Sequence, residues 1–146
     1  MTVPSTGGAE APAPEVVVGD GEVTIDALMA VAFEGRRVRL SSDPAWIAKV
    51  RACRRVLERS LDSGQPIYGV STGVGYHSKD AVGTDRIEEF AYQIIRQHGC
   101  GLGEMFSVPQ ARAIVFARLV SLAKGYSAVQ VELLEALCGL LNRGVT

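Results

Sequence analysis

Between two helical stretches the chain carries a run from Gly64 to Gly83 in which Tyr68, Ser71, Thr72, Tyr76 and His77 stand among five glycines and one proline. Glycine-rich backbone with hydroxyls suggests a phosphate cradle first. That chemistry needs G-x-x-x-x-G-K-S/T, and neither Gly69 nor Gly73 has the continuation. The dinucleotide pattern G-x-G-x-x-G begins at Gly73 and Gly75 but meets Ser78 in place of its third glycine, and no βαβ unit surrounds it. Gly99, Gly101 and Gly103 are spaced by two, which suits neither motif. The two histidines, His77 and His98, lack partners at metal-ligand spacing and lack an acidic residue four positions on. No G-x-S-x-G elbow is present, so Ser-His-Asp chemistry is also poorly supported. Cys53, Cys100 and Cys138 are odd in number, far apart and without a C-x-x-C pair, which argues for reduced thiols rather than a zinc site or disulfide framework. The residues alone lead to a long glycine-rich loop on a helical domain, and loops of that length are often functional.

The elements around the loop follow from periodicity and punctuation. Residues 1–15, rich in Ala, Pro, Gly, Ser and Thr, are expected to be a disordered leader, and 16–146 the folded segment. Val16–Val18, Glu22–Ile25 and Arg36–Leu40 are expected as short strands, with a turn at Gly19-Asp20-Gly21 and a short helix over Asp26–Phe33 stopped by Gly35. Asp43-Pro44 opens a helix, a capping carboxylate followed by proline at the first helical position. Its apolar stripe is Trp46, Val50, Cys53, Leu57 and Leu61, with Arg51, Arg54, Arg55 and Arg59 mostly on a solvated face. Thr84 is expected to cap a helix with the face Ile87, Phe90, Ala91, Ile94 and Ile95, ending near His98. Ser107 with Gln110, and Ser127 with Gln130, read as capping boxes for two more helices, stopped by Gly125 and Gly144. The last shows Leu133, Leu134, Leu137, Leu140 and Leu141, a face wide enough to call for more protein against it. The fold class expected is mainly α with a small β-containing start.

Composition narrows the function classes. The chain has 146 residues, 47% hydrophobic, with 15 Lys+Arg against 16 Asp+Glu, which is one domain with a modest core and no electrostatic reason for nucleic acid or anionic membrane as partner. Aromatic residues at 6% are too few for base-stacking platforms. No signal-peptide pattern and no apolar run long enough to span a bilayer is seen, so a cytoplasmic location is expected.

At the loop the sequence resembles a known family. Ile67-Tyr68-Gly69-Val70-Ser71-Thr72-Gly73-Val74-Gly75 is similar to the Y-G-V/I-N/T/S-T-G-F/Y-G loop of histidine, phenylalanine and tyrosine ammonia-lyases and tyrosine aminomutases. Ile95-Arg96-Gln97-His98-Gly99-Cys100-Gly101-Leu102-Gly103 resembles their L-I/V-R-S-H-x-x-G-V/I-G. Ala111–Val115 and Arg118–Val129 resemble a third block, and Leu140–Val145 a fourth. The resemblance runs from about Val16 to the end and implies the N-terminal portion of the helical ammonia-lyase fold. It implies an aromatic amino acid substrate and an electrophilic group, 4-methylidene-imidazole-5-one (MIO), made by cyclisation of an Ala-Ser-Gly tripeptide. The substrate amine adds to that group, a base removes a β-proton and ammonia leaves; aminomutases return the amine at the β carbon. The family's base maps onto Tyr68. A phenol, with an ordinary pKa of about 10, needs neighbouring positive charge or hydrogen-bond donors to act as a base near neutrality. His98 falls where tyrosine-using members meet the substrate hydroxyl, or simply caps helix-end carbonyls; Gly75 lets backbone bend close to substrate.

The departures are specific. No Ala-Ser-Gly occurs in the chain, so MIO is expected from a partner segment. Ser71 replaces Asn or Thr, Val74 an aromatic, Ala91 a Gln, Gln93 an Asn and Val120 the Asn of R-L-N. The expectation is a split subunit, a carbon–nitrogen lyase or aminomutase when completed by a companion chain, oligomeric, with tyrosine-type substrates favoured. An inactive remnant and a non-catalytic partner of a full-length lyase are the alternatives.

Overall fold

The structure, a computed structural model, describes residues 14–19 and 21–145. The expected leader therefore lies outside the described residues apart from residues 14 and 15, as does Asp20 of the expected turn. Two short strands, β1 (Val16–Val18) and β2 (Val38–Leu40), pair in parallel with Val16 opposite Val38 and Val18 opposite Leu40. Parallel strands need a crossover, and the helix α1 (Ile25–Phe33) supplies it. The strand expected over Glu22–Ile25 is not there. Thr24 has extended backbone and its hydroxyl accepts from the Ala27 N–H at 3.2 Å, so it caps α1, and Ile25 and Asp26 form the first turn.

Helix α2 (Pro44–Asp62) begins as its sequence dictates, with Asp43 accepting from the Ala45 N–H at 3.0 Å and proline in the first turn. Only Trp46 and Val50 of its apolar stripe are buried; Cys53, Leu57 and Leu61 are half-buried. The next helix, α3 (Ile87–His98), starts later than Thr84 predicts. Thr84–Arg86 forms a 3-10 turn, and the helix has no side-chain cap. In α4 (Val108–Ala123) the Ser107 N–H donates to Gln110 Oε1 at 2.9 Å, as the first capping box requires. The second box does not form. Ala128 adopts φ 53°, which turns the backbone left-handed, and α5 (Val131–Arg143) starts with Gln130 at its cap position and Gly144 at its C-terminal end.

The core lies where α1 and α5 pack on α4 and β2 backs onto α5. Val31, Phe116, Leu119 and Leu134 are fully buried, joined by Val18, Val38, Trp46, Val50 and Leu141. Polar groups lock the helix ends around it. Trp46 Nε1–H donates to the Ala123 carbonyl at 2.7 Å, tying the start of α2 to the end of α4. Buried Arg112 donates from Nε to the Val31 carbonyl at 2.9 Å and from Nη1 to the Leu141 carbonyl at 2.8 Å, capping α1 and α5 together. Asn142 reads both polar groups of Val38, accepting from its N–H and donating to its carbonyl at 2.8 Å each, on the β2 edge that faces away from β1. The core takes nothing from residues 64–106, and α3 buries none of its residues. The unpartnered apolar surface thus lies more on α3 and the segment after it, where Ile95, Leu102, Met105 and Phe106 are exposed, than on α5, whose Leu134, Cys138 and Leu141 are buried. No helix among the described residues is long and apolar enough to cross a membrane.

Candidate active site on the tyrosine loop

The loop after α2 is built from two nested turns. The Ile67 carbonyl accepts from the N–H groups of Val70, Ser71 and Thr72 at 3.0, 3.0 and 3.2 Å, while the Ile67 N–H donates to Ser71 Oγ at 2.9 Å. Ser71 therefore has a local structural task that its hydroxyl satisfies. Thr72 and Ala81 form an antiparallel bridge, flanked by Gly73 N–H to the Asp80 carbonyl at 2.9 Å and Val82 N–H to the Ser71 carbonyl at 2.9 Å. Residues 73–80 thus form a closed excursion. Gly73 is required there: a Cβ would collide with the His77 carbonyl oxygen. Inside it, Gly75–His77 makes a 3-10 turn whose first residue has φ 57°, a conformation that suits glycine.

Two of the three expected site residues meet. The Gly75 N–H donates to Tyr68 Oη at 3.0 Å, and the Tyr68 side chain stands exposed to solvent. The N–H groups at the start of a helical turn have no partner within it, and this one is aimed at the phenolic oxygen. A donor so placed fixes the direction in which that oxygen points. Gly75 is thus both a bend in the backbone and a hydrogen-bond donor, a role its residue type did not announce.

His98 is placed differently. Its Nδ1 lies 2.8 Å from the Ile94 carbonyl within the last turn of α3. A carbonyl only accepts, so Nδ1 carries a proton, and a neutral ring then presents Nε2 as an acceptor. No hydrogen bond joins His98 to Tyr68 or Gly75 among the described residues. Val120, which replaces a family asparagine, packs against the core and lines a cleft of about 310 Å³ with Val18, Val23 and Ala123, away from the loop.

The loop also holds a side-chain pair that an i+4 spacing does not show. His77 Nδ1 lies 2.7 Å from Asp80 Oδ2, and the Tyr76 ring stands edge-on to the imidazole at 5.5 Å. On a tight turn, the neighbour of residue i is i+3, and that spacing is the signal that finds Asp80. Among the cysteines, Cys100 is exposed and Cys53 half-buried, while burial, then the nearby Glu135 charge, push the Cys138 thiol up to about 11. No group of three His, Cys, Asp or Glu side chains able to hold a metal stands together among the described residues.

Comparison with known proteins extends this picture beyond the loop. The aromatic amino acid lyase family model matches residues 23–146. The MIO-dependent tyrosine 2,3-aminomutase of Streptomyces globisporus is 40% identical over 128 residues, 87% of this chain and 23% of its own length. A histidine ammonia-lyase of Gloeobacter violaceus is 38% identical over 130 residues, covering 88% of this chain and 25% of that relative. The crystal structure of tyrosine aminomutase from Streptomyces globisporus superposes with a TM-score of 0.85 at 38% identity, over 91% of this chain and 25% of that one. The chain spans about a quarter of the length of the curated relatives it matches. Over that quarter the helical architecture agrees, and the chain belongs to the aromatic amino acid lyase family.

Proposed function

We propose that this chain provides the tyrosine loop of an MIO-dependent aromatic amino acid ammonia-lyase or aminomutase, of the tyrosine-using type, and that turnover requires a companion segment carrying Ala-Ser-Gly. The observation that carries the reading is the Tyr68 hydroxyl, exposed and held by the Gly75 N–H at 3.0 Å on a loop that follows the family pattern. In this reading Tyr68 Oη takes the β-proton from the substrate, with the Gly75 N–H steadying the oxygen and its lack of a side chain leaving room for the substrate. His98 Nε2 accepts from the phenolic hydroxyl of the substrate, its ring fixed by the Nδ1 bond to Ile94. The 40% identity to a tyrosine 2,3-aminomutase supports the tyrosine type. MIO, when bound, supplies the electrophilic carbon that takes up the amine. No Ala-Ser-Gly occurs in these 146 residues, and in this reading the companion segment supplies it.

The test is to co-express this chain with a polypeptide supplying the remaining length of the family, purify on a tag carried by this chain, and offer tyrosine, phenylalanine and histidine. Arylacrylate absorbance reports elimination, and chromatography of β-amino acid reports migration. Turnover that falls at least about a hundredfold in Tyr68→Phe is expected, the scale of losing a positioned base. Co-purification without turnover identifies a non-catalytic partner instead, and neither association nor turnover leaves an inactive remnant; both defeat the proposal.

A further inference from the structure

We infer that His77 and Asp80 are positioning residues for Tyr68: their side-chain pair fixes the 3-10 turn whose Gly75 N–H holds the phenolic oxygen. The inference rests on the reading of Tyr68 as the proton acceptor.

Each link is a contact in the loop. Tyr68 Oη accepts from Gly75 N–H at 3.0 Å. Gly75 opens the turn that His77 ends, and the turn is held by His77 N–H to the Val74 carbonyl and Ser78 N–H to the Gly75 carbonyl, both at 3.1 Å. Asp80 closes the far side twice through backbone, donating its N–H to the His77 carbonyl at 3.0 Å and accepting at its own carbonyl from Gly73 N–H at 2.9 Å. Its carboxylate then reaches the His77 ring at 2.7 Å, within the range of a charge-assisted hydrogen bond. A carboxylate only accepts, so Nδ1 is the donor, and the ring is fixed in tautomer and in orientation.

The backbone bonds alone leave the turn as one short, exposed helical turn, a form with poor hydrogen-bond geometry. Gly73 and Gly75 add conformational freedom at two points of the same excursion, and freedom in the chain has to be opposed by contacts. The side-chain pair bridges residues 77 and 80 over the turn that follows, and so anchors the end of the 3-10 turn at His77. It thereby limits rotation of the peptide whose N–H points at Tyr68. Among the described residues no hydrogen bond joins either side chain to Tyr68, and neither residue belongs to the core. Their place is one step removed from the reacting oxygen, which is the place of a residue that orients another.

The experiment uses the chain labelled with ¹⁵N-glycine and the same chain within the co-expressed complex. In the chain, amide exchange at Gly75 reports the bond to Tyr68, with Tyr68→Phe giving the rate when no acceptor is present. His77→Phe, which keeps a ring beside Tyr76, and Asp80→Ala are expected to speed Gly75 exchange about two- to fivefold, the range for an exposed charged pair. His77→Asn, whose amide N–H can take the place of Nδ1–H, should restore it. In the complex, His77→Phe is expected to lower kcat by at least the same factor with KM unchanged, and His77→Asn to recover it. Unchanged Gly75 exchange in His77→Phe and Asp80→Ala overturns the inference while leaving the catalytic reading intact. Faster exchange with unchanged kcat shows a purely structural pair and also overturns it. A wild-type complex with no turnover removes the reaction for which Tyr68 is positioned, and the inference falls together with that reading.

Discussion

Replacing Arg112 by Met keeps an apolar stem in the core and removes a guanidinium that caps two helices at once. Arg112 is buried, has no carboxylate partner among the described residues, and donates to the Val31 carbonyl at 2.9 Å and the Leu141 carbonyl at 2.8 Å. Hydrogen bonds from a charged donor contribute about 1.5–3 kcal/mol each, and a cation at a helix C-terminus roughly 0.3–1 kcal/mol more. Against this stands the cost of burying the cation, several kcal/mol, which the Met variant escapes. Leu141 keeps a second partner, the Gly144 N–H at 3.2 Å, so Val31 is the carbonyl left most exposed to loss. The net expectation is a destabilisation of about 2–4 kcal/mol. With a urea m-value of roughly 2 kcal/mol/M for a chain of this size, the unfolding midpoint should fall by about 1–2 M. Trp46 is the sole tryptophan and is buried, so its fluorescence follows the transition. Arg112→Lys should fall between, because one ammonium cannot reach both carbonyls with fork geometry. A Met variant within about 0.5 kcal/mol of wild type, the usual effect of a neutral surface change, would refute the capping argument.

Asn142→Asp exchanges the donor to the Val38 carbonyl for a carboxylate oxygen facing it, and should cost about 2 kcal/mol by urea titration, more than Asn142→Ser. Cys138 gives a pH dependence. Its folded thiol holds its proton up to about 11 against an ordinary value of 9.0, so above pH 9 the unfolded chain releases a proton that the folded chain keeps. Stability contributed by the thiol is present below pH 9 and falls as pH rises from 9 to 11; Cys138→Ala should flatten that part of the profile, after subtraction of its pH-independent cavity cost. Alkylation followed by peptide mass spectrometry should label Cys100 before Cys53 and leave Cys138 until unfolding. Trp46→Phe, which keeps the ring packing but orphans the Ala123 carbonyl, should cost about 1–3 kcal/mol by circular dichroism melts in urea.

What was legible in the sequence was local. Asp43-Pro44 states a helix start in two residues, and Ser107 with Gln110 states another, because both motifs close their hydrogen bonds within one turn. Thr24 misled for the same reason in reverse: within Glu22–Ile25 it looks like a strand residue, and only its hydroxyl on the Ala27 N–H shows it as a cap. Ser127 and Gln130 have the spacing of a capping box, yet Ala128 at φ 53° diverts the backbone before the helix starts. Nothing in an alanine announces that conformation. The tyrosine loop was visible as a loop and as a family pattern. The pairing of Tyr68 with Gly75 was not, because a backbone N–H leaves no trace in residue type. The long-range polar locks, Arg112 on Val31 and Asn142 on Val38, span 81 and 104 residues and cannot be seen from periodicity.

The same distinction separates stability from chemistry in this chain. The polar locks through Trp46, Arg112 and Asn142, which join distant segments, lie in the part of the chain that forms the core. The hydrogen bonds that shape the tyrosine loop run between residues 67 and 82. Few buried contacts and exposed backbone hydrogen bonds are the conditions under which a segment opens locally without global unfolding. A loop so placed takes its final rigidity from whatever packs against it. The apolar side chains of α3 and the residues after it are likewise without partners in the core, exposed at Ile95, Leu102, Met105 and Phe106. The loop's own hydrogen bonds fix its shape, and its surroundings within this quarter of the family's length leave Tyr68 open to solvent.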